Sequence, residues 1–84
     1  MYVVVISRTA EKQLKKLSDE WQRKIAGMIV SLEVNPRPHG SKKLSGTKST
    51  YRVRVADYRI IYEIEDRRVI VTVLKIAHRR EVYR

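Results

Sequence analysis

Arginine and tyrosine are the residues of this chain best suited to chemistry. Arg52, Arg54 and Arg59 fall within one short stretch, Tyr51-Arg52-Val53-Arg54-Val55-Ala56-Asp57-Tyr58-Arg59-Ile60-Ile61-Tyr62. The last residues, Ala77-His78-Arg79-Arg80-Glu81-Val82-Tyr83-Arg84, add more cations and a tyrosine. A guanidinium is a planar fork that can donate two hydrogen bonds to two phosphate oxygens, and it stays charged at any accessible pH. A phenol can stack on a base or exchange a proton. Such a set can bind RNA, or bind and cut it. A charged, solvated strand face that resists edge-to-edge pairing is the alternative reading.

The composition removes other chemistries. There is no cysteine, so disulfides, thiolates and zinc fingers are excluded. His39 and His78 are the only histidines, and the acids are scattered over helices and turns, which disfavours a metal cluster and any Ser-His-Asp arrangement. Glycine-rich phosphate loops are absent. A two-histidine ribonuclease would need His39, in a loop, to reach His78. No metal or other cofactor is expected. With 19 Lys and Arg against 9 Asp and Glu, the formal charge is +10 and the pI about 10.3. That excess attracts polyanions from a distance, so the expected partners are nucleic acid, ribosomes or an acidic protein that masks the charge.

At 84 residues the chain reads as one domain over residues 1–84. A domain of this size buries only roughly 60% of its unfolded surface, so every element must contribute to one core. No run approaches the roughly 20 apolar residues of a membrane span, and Met-Tyr-Val-Val-Val-Ile lacks the basic region and cleavage site of a signal peptide. The expectation is a cytoplasmic protein with no membrane partner.

The elements that must position the arginines can be read in order. Tyr2 to Ile6 is a continuous, β-branched apolar run, expected as a strand buried on both faces. Ser7 suits a helix N-cap, and Ala10, Leu14 and Leu17 follow at helical spacing. After Ser18-Asp19-Glu20, a second helix is marked by Trp21, Ile25, Met28, Ile29 and Leu32 and stopped at Asn35-Pro36. Trp21 is expected in the core, and Gly27 is read as permitting close packing. Residues 35–50 read as a loop without periodicity, holding His39, Lys42, Lys43 and Lys48 and anchored at Leu44. This basic loop either tracks phosphates or is simply solvated. Tyr51 to Glu65 gives two strands joined at Ala56-Asp57; Asp66-Arg67-Arg68 turns the chain, and Val69 to Ile76 is a further strand. The expected fold is α+β, with order β-α-α-β-β-β and a helical hairpin packed on one face of a four-stranded, largely antiparallel sheet. Alternation then places Arg52, Arg54 and Arg59 on the uncovered face.

Leu44-Ser45-Gly46 before the first hairpin strand, Tyr-Arg-Val-Arg-Val, Asp-Tyr-Arg-Ile-Ile-Tyr and Ile-Ala-His-Arg-Arg-Glu-Val-Tyr, in this order of elements, resemble the RelE toxins of bacterial and archaeal toxin–antitoxin pairs, within the RelE/ParE superfamily. The resemblance covers essentially the whole chain, and its C-terminal signature is the most specific part. It implies a RelE-like fold and a toxin that cleaves messenger RNA in the ribosomal A site without metal. It also implies a cognate acidic, RelB-like antitoxin that holds the toxin inactive, in a complex that can bind operator DNA through the antitoxin. Carried over by position, the family's two basic residues on the first hairpin strand fall on Arg52 and Arg54, where many members have lysine. Its later arginines fall on Arg59 and Arg79, and its terminal catalytic tyrosine falls on Tyr83.

On that reading the catalytic residues are Arg59, Arg79 and Tyr83. RNA contacts come from Arg52, Arg54, His78, Arg80, Lys42 and Lys43. Metal-free cleavage uses the neighbouring 2′-hydroxyl as nucleophile and needs a base, an acid and donors for the developing charge. Tyr83 is the candidate base, its phenolate favoured by nearby guanidinium groups. Arg59 and Arg79 clamp the phosphate, and the acid is either Arg79 or a water in its shell, or else His78. Arginine at positions 52 and 54 keeps phosphate binding but is a poor proton donor. Two further readings stay open: a ParE-like toxin that inhibits DNA gyrase without cutting, and a plain RNA-binding module.

Overall fold

The structure is a computed structural model and describes residues 1–82, with residues 81 and 82 described by their backbone alone. Its elements run β1 (Val3–Ile6), α1 (Arg8–Lys15), α2 (Asp19–Ser31), β2 (Lys42–Lys43), β3 (Thr50–Val55), β4 (Tyr58–Glu65), β5 (Ile70–His78) and α3 (Arg79–Val82). The strands form one sheet in the order β1-β5-β4-β3-β2. β1 lies parallel to β5, and the remaining neighbours are antiparallel.

Both long helices start where a hydroxyl can satisfy an otherwise orphaned N–H. Ser7 Oγ accepts from Ala10 N–H at 3.0 Å and donates to the Leu74 carbonyl at 2.9 Å, so one side chain caps α1 and ties it to β5. Ser18 Oγ accepts from Trp21 N–H at 3.4 Å and opens α2. The apolar stripes of α1 and α2, with Ala10, Ile25, Ile29 and Leu32, pack on Val53, Ile60, Tyr62, Ile64, Val71, Val73 and Ile76 from β3, β4 and β5. A chain this short has material for two layers, so one face of the sheet is covered and the other is open.

That single layer of helices corrects the reading of the first strand. β1 sits at the sheet edge, and its Val3 and Val5, in register with Ile70 and Thr72 on the open face, are 61% and 46% exposed. No strand of a two-layer fold is buried on both faces, however continuous its apolar run. The sheet also has five strands rather than four. Lys42 and Lys43, expected in a loop, pair with Arg52 and Tyr51 as a short edge strand. The last strand runs on to His78, and Arg79 opens the short α3, which the sequence did not suggest.

Trp21 is half-buried rather than in the fully buried set; it leans on Tyr58, with ring centroids 5.2 Å apart. Gly27 makes no close approach, because a Cβ built there meets nothing within 4 Å. It therefore costs α2 helix propensity with no packing return. Gly27→Ala is expected to stabilise the protein by about 1 kcal/mol, read as a higher urea midpoint at unchanged slope.

The loop after α2 is held by a polar clasp absent from any sequence expectation. Arg37 donates through both terminal nitrogens to the two Asp66 carboxylate oxygens, at 3.2 and 2.8 Å, and through Nε to Tyr51 Oη at 3.2 Å. Tyr2 Oη donates to the same carboxylate at 2.6 Å, and Tyr62 Oη donates to the Pro36 carbonyl at 2.8 Å. The hydrogen bonds from Arg37, and then from Tyr2, hold the Asp66 carboxyl down at about 2, while the bond to Asp66 raises the Tyr2 phenol. A carboxyl depressed on folding adds stability that is complete above its ordinary value near 4 and is lost as pH falls through its folded value. The clasp should therefore weaken between pH 4 and 2. Asp66→Asn is expected to lower the urea midpoint at pH 6 and to remove part of its decline across that window.

Candidate active site

The sheet register assembles the arginines. Arg54 on β3 stands opposite Arg59 on β4, and Arg59 stands opposite Ala77 on β5, so one row of the open face carries two guanidinium groups beside a small residue. Ala77 is only 1% exposed although it lies on the uncovered face, so neighbouring groups close over it. The register of β4 on β5 shifts between Ile61 and Tyr62, leaving Leu74 as the extra residue of a bulge. A bulge bends its strand and sharpens the twist, which re-aims the far half of β5 and the residues that follow it.

Two backbone features bring the end of β5 to the tip of the β3–β4 hairpin. Ala56 takes the left-handed conformation, with φ 52°, to close the turn. The Asp57 carbonyl accepts from Arg79 N–H at 2.7 Å, fastening the first residue of α3 to that turn. The result is a pocket of about 250 Å3 lined by Arg54, Ala56, Asp57, Tyr58, Arg59 and Arg79. Three guanidinium groups around so small a space, with one carboxylate in the lining, suit a phosphate group better than a larger organic ligand. Forked donors fixed on a sheet and a helix start can also stabilise charge that develops on a phosphoryl oxygen during reaction.

The other residues singled out in the sequence fall in three places. Arg52 lies on the same face one row away, in register with Lys42 on one side and Ile61 on the other, and Ile61 pairs with Lys75. Lys42, Arg52 and Lys75 thus form a second cationic band beside the pocket. Lys43 pairs with Tyr51 and belongs to the opposite face, and Arg80 is exposed beyond Arg79. His78 turns away from the arginines: its ring meets Tyr58 edge-on at 5.1 Å, and its Nδ1 accepts from Arg80 N–H at 3.2 Å. Tyr83 lies outside the described residues. The structure joins Arg54, Arg59 and Arg79 in one pocket, sets Arg52 and Lys42 beside it, and separates His78, Lys43 and Arg80 from it.

Sequence reasoning passed over Ala56, Asp57 and Tyr58 as pocket walls. The first two are wall residues because of a turn geometry that alternation does not encode. Tyr58 belongs by alternation to the opposite face, and only its place at the sheet end beside the turn brings it to the pocket wall.

The sequence and the overall fold are similar to those of known proteins. The family model described as the ParE toxin of type II toxin–antitoxin systems, parDE, matches residues 4–83. A Methanocaldococcus jannaschii protein provisionally named toxin RelE1 is 33% identical, the match covering 96% of this chain and 93% of that protein. The crystal structure of the archaeal RelE–RelB complex from Pyrococcus horikoshii OT3 contains a chain 31% identical to this one, with a TM-score of 0.84 over 93% of this chain and 94% of that one. The isolated E. coli RelE toxin is 26% identical, with a TM-score of 0.82 over 99% of this chain and 92% of that one. The helical hairpin on a mixed sheet, the basic β3–β4 hairpin and these matches agree: the chain belongs to the ParE toxin family of type II toxin–antitoxin systems and is a toxin of the RelE type.

Proposed function

We propose that this toxin is a ribosome-dependent endoribonuclease that cuts messenger RNA in the A site and so stops translation in the cytoplasm. The observation that carries this reading is the meeting of Arg54, Arg59 and Arg79 on one phosphate-sized pocket. The scissile phosphate sits among the three guanidinium groups, and the Arg52, Lys42 and Lys75 band holds the RNA backbone beside it. The 2′-hydroxyl attacks the adjacent phosphorus and gives its proton to the Tyr83 phenolate. The bond from phosphorus to the 5′-oxygen breaks, leaving a 2′,3′-cyclic phosphate and a 5′-oxygen that takes a proton from water held at Arg79. The turn of His78 toward Tyr58 favours that water over His78 as the acid. No metal is required, because the arginines supply the donors for the charge that builds on the phosphoryl oxygens. The ribosome supplies the substrate geometry that a domain this small lacks, so free RNA is a poor substrate.

The partner that restrains the toxin is a cognate acidic, RelB-like antitoxin, a reading supported by the RelE–RelB complex of the Pyrococcus relative and by the charge of +10. Covering the open face would mask the arginines, and the joint complex would bind operator DNA through the antitoxin. The description of the matching family model also points to the ParE type, for which gyrase inhibition is the second reading. Parallel assays separate the two. Protein synthesis in a cell-free extract should stop on addition of the toxin while DNA gyrase supercoiling continues at its normal rate. Unimpeded synthesis with arrested supercoiling would establish the gyrase reading instead.

A further inference from the structure

Beside the arginine pocket, on the other side of the sheet end, lies a second hollow of about 350 Å3 lined by Gln13, Lys16, Leu17, Tyr58, Ile76 and His78. Its volume falls within the roughly 300–1,000 Å3 of small-ligand sites. Tyr58 lines both cavities, so a ligand that fills one can reach the other around a single aromatic ring. We propose that this second hollow holds the base of a nucleotide flanking the phosphate bound by Arg54, Arg59 and Arg79, and that it thereby discriminates among RNA sequences. The inference builds on the proposed nuclease function by naming a base subsite for it.

The chemistry of the lining supports a base rather than a second phosphate. Leu17 and Ile76 provide apolar walls, and Tyr58 and His78 provide aromatic ones, their rings 5.1 Å apart and nearly perpendicular. Trp21 backs Tyr58 from behind at 5.2 Å, holding the ring in place as a platform. Apart from the Tyr58 hydroxyl, which can donate or accept, the polar side chains of the wall are donors. Gln13 Oε1 already accepts from Ile76 N–H at 2.7 Å, which leaves the amide nitrogen to donate. His78 Nδ1 accepts from Arg80 N–H, so the neutral ring carries its proton on Nε2 and donates there. Lys16 contributes an ammonium. Flat, apolar walls with donors fit a base that presents carbonyl oxygen. Guanine, cytosine and uracil do so, whereas adenine has no carbonyl and accepts only through its ring nitrogens.

The test is an NMR titration of the 15N-labelled full chain with GMP, CMP, UMP and AMP, with inorganic phosphate as the control. GMP, CMP and UMP should shift the Gln13 side-chain amide and the indole of Trp21, the one tryptophan of the chain, and should bind more tightly than AMP. Inorganic phosphate should perturb the arginine pocket and leave those two signals in place. Gln13→Glu keeps the acceptor for Ile76 N–H and removes the donor, and Lys16→Ala removes an exposed cation. Each should weaken the three carbonyl-bearing nucleotides by about fivefold to tenfold without changing phosphate binding. Shifts that are the same for every nucleotide and for phosphate, or affinities untouched by both variants, would overturn the proposal. The binding measurement needs neither ribosomes nor cleavage. Selective base binding by a chain that never cuts RNA would count against the proposed reaction and in favour of this subsite.

Discussion

On the proposed nuclease reading, replacing Arg79 with alanine is expected to slow A-site cleavage by about 100-fold to 1,000-fold, the usual loss when one fixed transition-state donor is removed. Arg79 is exposed, and its backbone N–H, not its side chain, makes the bond to the Asp57 carbonyl at 2.7 Å. Alanine keeps that bond and is a good helix former at the start of α3. The variant should therefore fold as the parent does, with the same circular dichroism and the same urea midpoint. Arg79→Lys separates charge from geometry. Lysine restores the positive charge as a point but not the forked pair of donors, so it should recover part of the rate and not all of it. Single-turnover rates on programmed ribosomes provide the measurement. A rate for Arg79→Ala within a factor of two or so of the parent would remove the side chain from the chemistry.

The second large effect belongs to the core that aims the arginines. Ile60 is 0% exposed on β4, opposite Val53 on one side and Ile76 on the other, and it directly follows Arg59. Ile60→Ala removes three carbons from a site walled by two neighbouring strands and the helices above, where little can move in to fill the gap. A loss of about 2–5 kcal/mol is expected, against a total stability of roughly 5–15 kcal/mol for a small domain. At 84 residues the protein has little surplus, so a substantial unfolded fraction should be present at 37 °C. Equilibrium urea unfolding measures the shift. Where Arg79→Ala loses activity at full stability, Ile60→Ala should lose both together, and cooling should recover part of the activity.

How far the sequence disclosed this design varied with how local each feature is. The helices were legible because Ser7 and Ser18 cap them and because Ile25, Ile29 and Leu32 recur at helical spacing. The row of Arg54 and Arg59 was legible because alternation along β3 and β4 assigns faces, and the turn at Ala56-Asp57 sets their register. What could not be read depends on partners distant in the chain. β1 looked doubly buried because apolar side chains alone do not tell a central strand from an edge strand with an open face. Lys42 and Lys43 join the sheet only because β3 leaves an edge for them to pair with. The Arg37, Asp66, Tyr51 and Tyr2 clasp joins four segments with no common motif. The separation of His78 from the arginines rests on where the last strand ends: β5 runs on to His78, which pairs with Tyr58, so alternation puts it on the helix-covered face, away from Ala77 and Arg59.

The most direct test of the nuclease reading is to map RNA 5′ ends in a translation extract containing the toxin, its Arg79→Ala variant or its Tyr83→Phe variant, with the same messenger free of ribosomes as control. Cuts confined to A-site codons, dependent on ribosomes, ending in a 2′,3′-cyclic phosphate and faded in both variants are the expected result. Intact messenger in every lane, or cuts that persist undiminished in both variants, would contradict a nuclease built on Arg79 and Tyr83.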